Sequence, residues 1–440
     1  MTDEPSAPEL DDGDALAFTK THQQRRARAG AVTTPHGSIQ TPAFMPVGTQ
    51  ASVKGLTPRD LRETGSEIVL ANTYHMYLSP GHETVEKLGG LHRMMGWDGP
   101  ILTDSGGYQV FSLPDVEIDE SGVTFQYEKS GEKVQMSPEF AIEIQEALGA
   151  DIIMAFDVCV SADADYDEAQ EAVDRTGRWL KRCAGSQTRD DQALFGIVQG
   201  SVFPDLRQRS VSQTLEVDLP GYAVGGLSVG EGHEKMMQML EVTAPMLPEE
   251  KPRYLMGVGY PEDIIEAVAR GIDMFDCVIP TRHARSGQVF TRRGKYRVTN
   301  RDYQVDKFPL DANCNCYACR NYSRAYIRHL IEADAILGSM LATLHNVTFY
   351  QDFMRTIRRS IREDVFQSFR FAFLDEYLGS QKKGDLGFHR LEDAYDLEDL
   401  PWETEHSCIP STDIQRNLDK IGPQDNLNST GDRISEIMKL

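Results

Sequence analysis

Seven short apolar segments, each with a polar residue or glycine at or near its end, constrain the fold of this chain most strongly. They are residues 67–72, 100–104, 151–157, 194–199, 222–226, 254–257 and 274–278. Apolar runs this short are typical of strands buried on both faces, as in parallel sheets. Helical patterns lie between them, for example after Ser137-Pro138, after Pro261 and over residues 167–180. Alternating strands and helices predict an α/β fold.

The positions of the polar residues favour a closed (β/α)8 TIM barrel over an open doubly wound sheet. They fall at or near the carboxyl ends of different predicted strands, at Asp104, Asp157, Gln199, Gly226, Gly257 and Asp276. In a barrel those ends converge on one mouth, where catalytic groups collect. An open sheet would instead have one crevice, usually with an early Gly-x-Gly-x-x-Gly loop, and that motif is missing from the sequence.

The charge of the chain is unevenly distributed. The 440 residues carry 45 Lys and Arg against 68 Asp and Glu, a net charge of −23. This balance argues against a protein that coats nucleic acid. Between Arg282 and Arg301, however, there are seven basic residues and no acidic one, including Arg285, Arg292 and Arg293. This stretch is either a binding surface for a polyanion or a solvated hairpin face.

Three cysteines within six positions indicate a metal site. Cys314, Cys316 and Cys319 supply three thiolates, and His345 supplies an imidazole 26 residues after Cys319. A filled set of three sulfurs and one nitrogen suits structural zinc, one ion per chain. His329 is the competing fourth ligand. Clustered cysteines, no long apolar run and an acidic start lead us to expect a cytoplasmic protein without a membrane span.

Two carboxylates at strand ends suggest chemistry at an anomeric carbon. Asp104 and Asp276 each follow or end an apolar run, and Asp276 stands just before the basic stretch. A carboxylate pair can provide one nucleophile and one acid/base group. The simpler interpretation of either residue alone is a cap on the next helix.

The sequence resembles the tRNA-guanine transglycosylases over residues 17–377. Six strings carry the resemblance in chain order: DSGGYQVFSL, FGIVQGS, GYAVGGLSVGEG, RYLMGVG, DMFDCVIPTRHAR and CNCYACRNYSRAY. The resemblance implies a TIM barrel with a zinc subdomain, acting as a homodimer. It also implies a pentosyltransferase that exchanges guanine at the tRNA anticodon wobble position for a 7-deazaguanine, leaving the phosphodiester chain intact.

The resemblance also assigns roles. Asp276 matches the nucleophile and Asp104 the general acid/base. The residues matching the base pocket are Asp157, Gln199, Gly226 and Leu227, with Tyr108 and Met256 on the two faces of the base. Glu231 matches an acid that stabilises the peptide facing an aminomethyl group. Arg282 and Arg285 match residues that hold the uridine-flanked target, and the zinc ligands match Cys314, Cys316, Cys319 and His345.

Two positions depart from or refine the pattern. Bacterial members usually have Glu after the Asp that reads the base, and this chain has Val158. The lost Glu is expected to have served loop packing. Val229 leaves less room than glycine would for the cyclopentenediol of queuine, so we favour 7-aminomethyl-7-deazaguanine as the incoming base. The alternatives are a queuine-using variant, a catalytically silent RNA-binding subunit and a zinc-dependent barrel hydrolase.

The expected domain organisation has five parts. Residues 1–16 form an acidic flexible tail, and 17–281 form the main part of the catalytic barrel. Residues 282–345 carry the basic segment and the zinc subdomain, with a first helix over 323–342. Residues 346–378, with a second helix over 346–364, complete the barrel. Residues 379–440 form an acidic, loosely ordered extension.

Overall fold

The chain divides into two compact units between His283 and Ala284. The computed structural model describes residues 8–11, 13–113, 116–127 and 131–382. Residues 380–382 are described by their backbone alone. Residues 1–7 of the expected N-terminal tail and residues 383–440 of the expected extension lie outside the described residues. The domain boundaries, including completion of the barrel by residues 346–378, stay predictions.

The described residues contain sixteen strands. In chain order they are β1 Ala17–Gln24, β2 Ala27–Thr34, β3 Gly37–Thr41, β4 Ala43–Gly48, β5 Val69–Ala71, β6 Ile101–Thr103, β7 Glu117–Ile118, β8 Val123–Gln126, β9 Lys133–Met136, β10 Ile152–Met154, β11 Ala193–Val198, β12 Gly221–Val224, β13 Arg253–Leu255, β14 Met274–Cys277, β15 Gln288–Thr291 and β16 Gly294–Arg297.

Eight of these strands close a parallel barrel in the order β4-β5-β6-β10-β11-β12-β13-β14, with β14 pairing back onto β4. The predicted TIM-barrel fold is therefore confirmed. All seven predicted strands belong to this barrel, and its eighth strand, which the pattern missed, is β4. Its sequence, AFMPVG, contains Pro46, and an internal proline normally argues against a paired strand.

The interior of the barrel is filled by apolar side chains from its strands. Met45, Leu102, Met154, Phe195 and Met274 are each at most 1% exposed and belong to one cluster. The antiparallel sheet β1-β2-β3 lies at the amino-terminal end of the barrel, where its side chains join this cluster. The opposite end, at which the strands terminate, is where the expected site residues lie.

Fifteen α-helices accompany the strands in the described part of the chain. They are α1 Pro58–Thr64, α2 Thr73–Leu78, α3 His82–Lys87, α4 Gly90–Met95, α5 Gly107–Phe111, α6 Pro138–Leu148, α7 Tyr166–Ser186, α8 Pro204–Thr214, α9 His233–Thr243, α10 Pro261–Val268, α11 Ile279–Arg285, α12 Tyr317–Asn321, α13 Arg324–Glu332, α14 Ile336–Arg362 and α15 Phe366–Lys382. Helix α6 begins as predicted, with the Ser137 hydroxyl accepting from the Phe140 N–H at 3.1 Å.

The second unit contains the predicted β-hairpin, β15-β16, and helices α12 to α15. Its helices divide differently from the prediction, because the break falls at residues 333–335 and not between 342 and 346. Asp334 adopts a left-handed conformation, and the Ala335 N–H bonds the Leu330 carbonyl, which ends α13. The region around His345 has no such stop signal, and it lies inside the 27-residue helix α14.

Candidate active site and metal centre

The expected site residues of the barrel gather at the carboxyl ends of its strands. Asp104 directly follows β6, Gln199 follows β11, and Asp276 lies within β14, one residue before its end. Because the strands are parallel, these ends face the same mouth. The structure thus brings together side chains that are up to 172 positions apart in the sequence.

Asp276 is held through one of its two carboxylate oxygens. Its Oδ1 accepts from the Tyr254 hydroxyl at 2.6 Å and from the Gly257 N–H at 2.7 Å. Burial raises the pKa of Asp276, and these two hydrogen bonds partly oppose the rise. Both bonds go to Oδ1, so Oδ2 is the oxygen better placed to react with a ligand.

Asp104 is held through both oxygens. Its Oδ1 accepts from the Thr73 N–H at 2.9 Å and the Gly106 N–H at 3.2 Å, and its Oδ2 accepts from Asn72 Nδ2. Burial raises the pKa of Asp104 to about 7, and the negative charge of Asp276 contributes to the rise. Two interacting carboxyl groups with raised pKa values are characteristic of acid/base chemistry near neutral pH.

Asp157 and Gln199 form a buried polar surface beside the two carboxylates. Asp157 accepts from the Ser105 hydroxyl at 2.9 Å and from Gln199 Nε2 at 2.6 Å. Burial raises the pKa of Asp157. The Oε1 atom of Gln199 is buried and has no hydrogen-bond partner among the described residues. A buried acceptor left in this state indicates that a ligand donor completes the site.

Two glycines lie so close to this polar surface that no residue with a side chain would fit at their positions. A Cβ atom on Gly226 would lie 2.2 Å from Gln199 Oε1, and one on Gly107 would lie 2.8 Å from Asp157 Oδ1. Gly226 also has a φ of 61°, which other residues rarely adopt. The main chain therefore approaches this polar surface closely at both glycines. The contacts with a base that the resemblance implies for Gly226 and Leu227 stay predictions.

Glu231 fixes the peptide that follows Leu227. Its carboxylate accepts from the Ser228 N–H at 2.5 Å and from the Val229 N–H at 2.9 Å. Since the N–H and C=O of a trans peptide point in opposite directions, the Leu227 carbonyl points away from Glu231. Tyr108, on α5, is 58% exposed, and Met256 packs half-buried against the barrel core.

The four predicted metal ligands converge in the second unit. The ligand atoms of Cys314, Cys316, Cys319 and His345 all lie within 4.8 Å of one another and are buried within the protein. His345 Nδ1 is 3.3 Å from Cys319 Sγ and 3.9 Å from Cys316 Sγ. A tetrahedral zinc ion would separate sulfur and nitrogen ligands by about 3.6 Å. The cluster can therefore hold one metal ion, and its spacing fits zinc.

The other ring nitrogen of His345 fixes its orientation. Nε2 lies 2.9 Å from the Phe290 carbonyl on β15 and donates to it, which leaves Nδ1 as the ligand atom. His329, the alternative ligand, is exposed on α13 and does not belong to the cluster. That alternative is wrong, because the continuous helix α14 carries His345 onto the cysteines.

A second group of potential ligands, His36, His92 and Asp151, lies at the amino end of the barrel. Asp151 precedes β10 and accepts from His36 Nδ1 at 2.8 Å and His92 Nε2 at 3.1 Å. The two imidazoles stack with centroids 3.6 Å apart and planes 14° apart. A metal ion bound by both stacked rings would lie far out of both ring planes, whereas imidazole nitrogens bind metals in the ring plane. The geometry therefore indicates that both histidines are hydrogen-bonded to Asp151 and do not share a metal ion.

Comparison with known proteins identifies the family. The family model described as queuine tRNA-ribosyltransferase matches residues 23–378. The queuine tRNA-ribosyltransferase of Desulforamulus reducens is 57% identical over 360 residues, which cover 82% of this chain and 97% of that protein. Those of Halothermothrix orenii and Pelotomaculum thermopropionicum are each 54% identical and cover 83% of this chain, and 98% and 100% of their own lengths.

The chain belongs to the queuine tRNA-ribosyltransferase family. The resemblance drawn from the six sequence strings is thereby confirmed, as is the prediction of a pentosyltransferase. Within the described part of the chain, none of the helices combines the length and the apolar composition that a membrane span requires.

Val158, where bacterial members usually have Glu, is a core position of this family member. Its side chain is 4% exposed, and its N–H donates to the Thr176 hydroxyl on α7 at 3.0 Å. The side chain is therefore buried, and the main chain beside Asp157 is anchored to α7. The expectation that the lost Glu served loop packing stays a prediction.

The basic segment of this family member divides into two kinds of arginine. On α11, Arg282 is exposed and Arg285 is half-buried. Arg292, by contrast, is 8% exposed, and its Nε lies 2.9 Å from Glu376 on α15. Arg293 pairs with the same carboxylate at 3.3 Å. Both arginines therefore take part in the packing of the second unit through Glu376, and the expectation that they bind RNA stays a prediction.

Sequence reasoning missed three residues that hold the site of this transferase. Asn72 ends a predicted strand, as Asp104 does, so the rule that found Asp104 would also have found it. Ser105 stands beside Asp104 but looks like an ordinary turn residue. Tyr254 lies inside a predicted strand, where a tyrosine is normally read as core, and only the fold brings its hydroxyl onto Asp276.

Proposed function

We propose that this protein exchanges guanine at the wobble position of a tRNA anticodon for 7-aminomethyl-7-deazaguanine through a covalent ribosyl–Asp276 intermediate. The observation that carries the proposal is the pair of electrostatically coupled carboxyl groups, Asp104 and Asp276, at one barrel mouth. Membership of the queuine tRNA-ribosyltransferase family supports tRNA as the substrate and ribosyl transfer as the reaction, whereas the choice of the incoming base rests on the pocket itself.

In the first step Asp276 Oδ2 attacks C1′ of the target nucleoside. The bond from C1′ to the guanine nitrogen breaks as the bond from C1′ to Oδ2 forms, and the electron pair leaves with the base. Tyr254 and the Gly257 N–H keep Oδ1 in place during the attack. A second displacement by the incoming base restores the original anomeric configuration.

Asp104 supplies and removes the proton on the exchanging bases. With a pKa of about 7, its carboxyl group is partly protonated at neutral pH and can act in either direction. It protonates guanine as guanine leaves, and the resulting carboxylate accepts the proton from the incoming base. The net reaction therefore neither consumes nor releases a proton.

Asp157, Gln199 and the main chain at Gly226 and Leu227 read the base. A carboxylate accepts from the N–H groups of guanine, and an amide both donates and accepts. The unpartnered Oε1 of Gln199 supports this role, since a bound base would offer it a donor. Tyr108 and Met256 would cover the two faces of the base and replace the stacking lost when it leaves the anticodon loop.

The aminomethyl base is favoured by the peptide that Glu231 holds. The Glu231 carboxylate accepts from the N–H groups of Ser228 and Val229. The Leu227 carbonyl, on the other side of the Leu227–Ser228 peptide, is therefore left as an acceptor for an ammonium group. Val229 is half-buried and reduces the room for a larger substituent. These features support 7-aminomethyl-7-deazaguanine over queuine.

Contacts with the RNA are assigned to α11, and the metal to a structural role. Arg282 and Arg285 are proposed to hold the uridines that flank the target guanine. One zinc ion bound by the four converging ligands would have no open position, so it would stabilise the second unit without taking part in chemistry. Exposed aromatic side chains of that unit, Phe308, Tyr317 and Tyr326, support a homodimer formed through it.

The substrate is tested by competition. Transfer RNA carrying labelled guanine at the wobble position is incubated with the protein and either 7-aminomethyl-7-deazaguanine or queuine. We expect the aminomethyl base to release the label at much lower concentration than queuine. Replacing Val229 by Gly should improve the use of queuine, with Val217→Gly as a control at a position outside the pocket. Equal use of both bases by the wild type would contradict the assignment of substrate.

A further inference from the structure

Arg207 is a buried cation at the barrel mouth. It stands in the first turn of α8 and is fully buried. No carboxylate oxygen of the described residues lies within ion-pair distance of its guanidinium. Burial lowers the pKa of Arg207 to about 10, so the side chain is still charged at neutral pH. A buried cation without a paired anion is costly, and its position near a helix N-terminus adds to that cost.

The guanidinium donates to four main-chain carbonyl groups. Nε bonds Ser201 O at 2.9 Å, and Nη1 bonds Val198 O at 3.2 Å and Gly225 O at 2.7 Å. Nη2 bonds Gly226 O at 3.0 Å. These carbonyls belong to the end of β11, to the turn that follows it and to the loop after β12. The planar fork of arginine thus ties together the segments that carry the base-reading groups.

Two of these contacts determine the direction of the loop N–H groups. The carbonyls of Gly225 and Gly226 point toward Arg207, so the N–H groups of the same two peptides point away from it. Those N–H groups belong to Gly226 and Leu227, and neither donates to another main-chain group within the described residues. Successive N–H groups pointing the same way form a concavity that binds acceptors.

We propose that Arg207 is the positioning residue of the base pocket, fixing the Gly225–Gly226 and Gly226–Leu227 peptides so that their N–H groups face the purine. The atom they would bind is O6, the acceptor that guanine shares with the 7-deazaguanines. This inference rests on the proposed base exchange. It explains why an arginine is buried here, since lysine offers one compact ammonium and cannot span the four carbonyls in one plane.

Arg253 provides a matched control for the burial of an arginine. It is 5% exposed, it donates to the carbonyls of Leu247 and Pro248, and burial lowers its pKa to about 10 as well. It begins β13, however, so it lies at the amino end of the barrel, away from the mouth. A substitution at Arg253 therefore reports the cost of disturbing a buried arginine without touching the pocket.

The test compares Arg207→Lys with Arg253→Lys, using guanine and 6-thioguanine as incoming bases. The second base keeps the N1–H and 2-amino groups but has sulfur, a weaker acceptor, in place of O6. We expect both variants to melt at lower temperature. Only Arg207→Lys should raise the KM for guanine, by about tenfold, and reduce the preference for guanine over 6-thioguanine by about threefold or more. Its kcat should change less than its KM.

Three results separate success from failure. Unchanged KM and base preference in Arg207→Lys, or equal changes in Arg253→Lys, would overturn the positioning role. Absence of exchange in the wild type would instead contradict the proposed function. If Arg207→Lys does not fold, a crystal structure of the wild type with guanine decides the question. The N–H groups of Gly226 and Leu227 should then face O6 with the Arg207 contacts intact, and a flipped Gly226 peptide would refute the inference.

Discussion

Asp104 and Asp276 differ in how the protein holds them, and the difference matches the two roles proposed for them. Asp104 accepts hydrogen bonds on both oxygens, which keeps its orientation fixed while it gains and loses a proton. Among the described residues, Asp276 accepts hydrogen bonds on Oδ1 alone, which leaves Oδ2 for bond formation. The burial of both groups raises their pKa values.

The raised pKa of Asp104 predicts a measurable dependence of stability on pH. The folded protein keeps a proton on Asp104 up to about pH 7, whereas the unfolded chain releases it near pH 4. The stability contributed by this proton is fully present below about pH 4 and is lost as pH rises through about 7. The free energy of unfolding of the wild type, minus that of Asp104→Asn, should therefore fall across this window, by up to about 1.4 kcal/mol per pH unit.

Urea unfolding at several pH values measures this difference, with Asp163→Asn, at an exposed position, as the control. The same Asp104→Asn variant should lose about 10²- to 10⁴-fold in the rate of base exchange. Parallel pH profiles of stability for the wild type and Asp104→Asn would show that Asp104 does not titrate in this range.

At the scale of elements, hairpin β15-β16 and helix α11 carry arginines with different expected effects. Arg292 is buried against Glu376, so Arg292→Gln should destabilise the second unit by up to about 3 kcal/mol. Arg282 is exposed, so Arg282→Gln should leave the melting temperature nearly unchanged and weaken tRNA binding. Its loss should also flatten the salt dependence, by about 0.7–0.9 in the slope of log K against log salt for each phosphate contact removed.

Thermal melting and tRNA binding at several salt concentrations test both variants together. An Arg292→Gln protein that keeps its melting temperature but shows a smaller salt dependence of tRNA binding would indicate that Arg292 contacts RNA. Unchanged tRNA binding in Arg282→Gln would contradict a contact between α11 and the tRNA.

The metal cluster connects two elements, because its cysteines lie at or just before α12 and His345 lies inside α14. We expect about one zinc per purified chain. Cys316→Ser should release the ion and lower the stability of the second unit, since the site would lose one of four ligands. Cys183→Ser, at a buried cysteine outside the cluster, is the control for substitution alone. A wild-type metal content of zero, or an iron–sulfur absorption band, would contradict zinc.

For the whole molecule, the sequence predicted the elements whose signals are local. Buried parallel strands are short apolar runs, and the positions of Asp104, Gln199 and Asp276 at or near the ends of such runs predicted that they share one mouth. The division of α13 from α14 could not be predicted, because it depends on the left-handed Asp334 and not on a glycine or proline.

Features that depend on packing between distant segments were not predictable. Arg292 belongs to a run of basic residues that looks solvated, and only the fold places Glu376 beside it. Tyr254 and Arg207 look like an ordinary core tyrosine and an ordinary helix arginine. Their contacts with Asp276 and with the Gly226 carbonyl join positions 22 and 19 residues apart.

The covalent intermediate is the step on which the proposed exchange depends, and trapping it is the most direct test. Protein and tRNA are mixed, denatured and separated by electrophoresis, while release of labelled guanine is followed in parallel. The wild type should give an RNA–protein band that survives denaturation. Asp276→Asn should give neither the band nor the release, because an amide is a poor nucleophile. Release of guanine at the wild-type rate by Asp276→Asn, or an adduct in that variant, would contradict the mechanism.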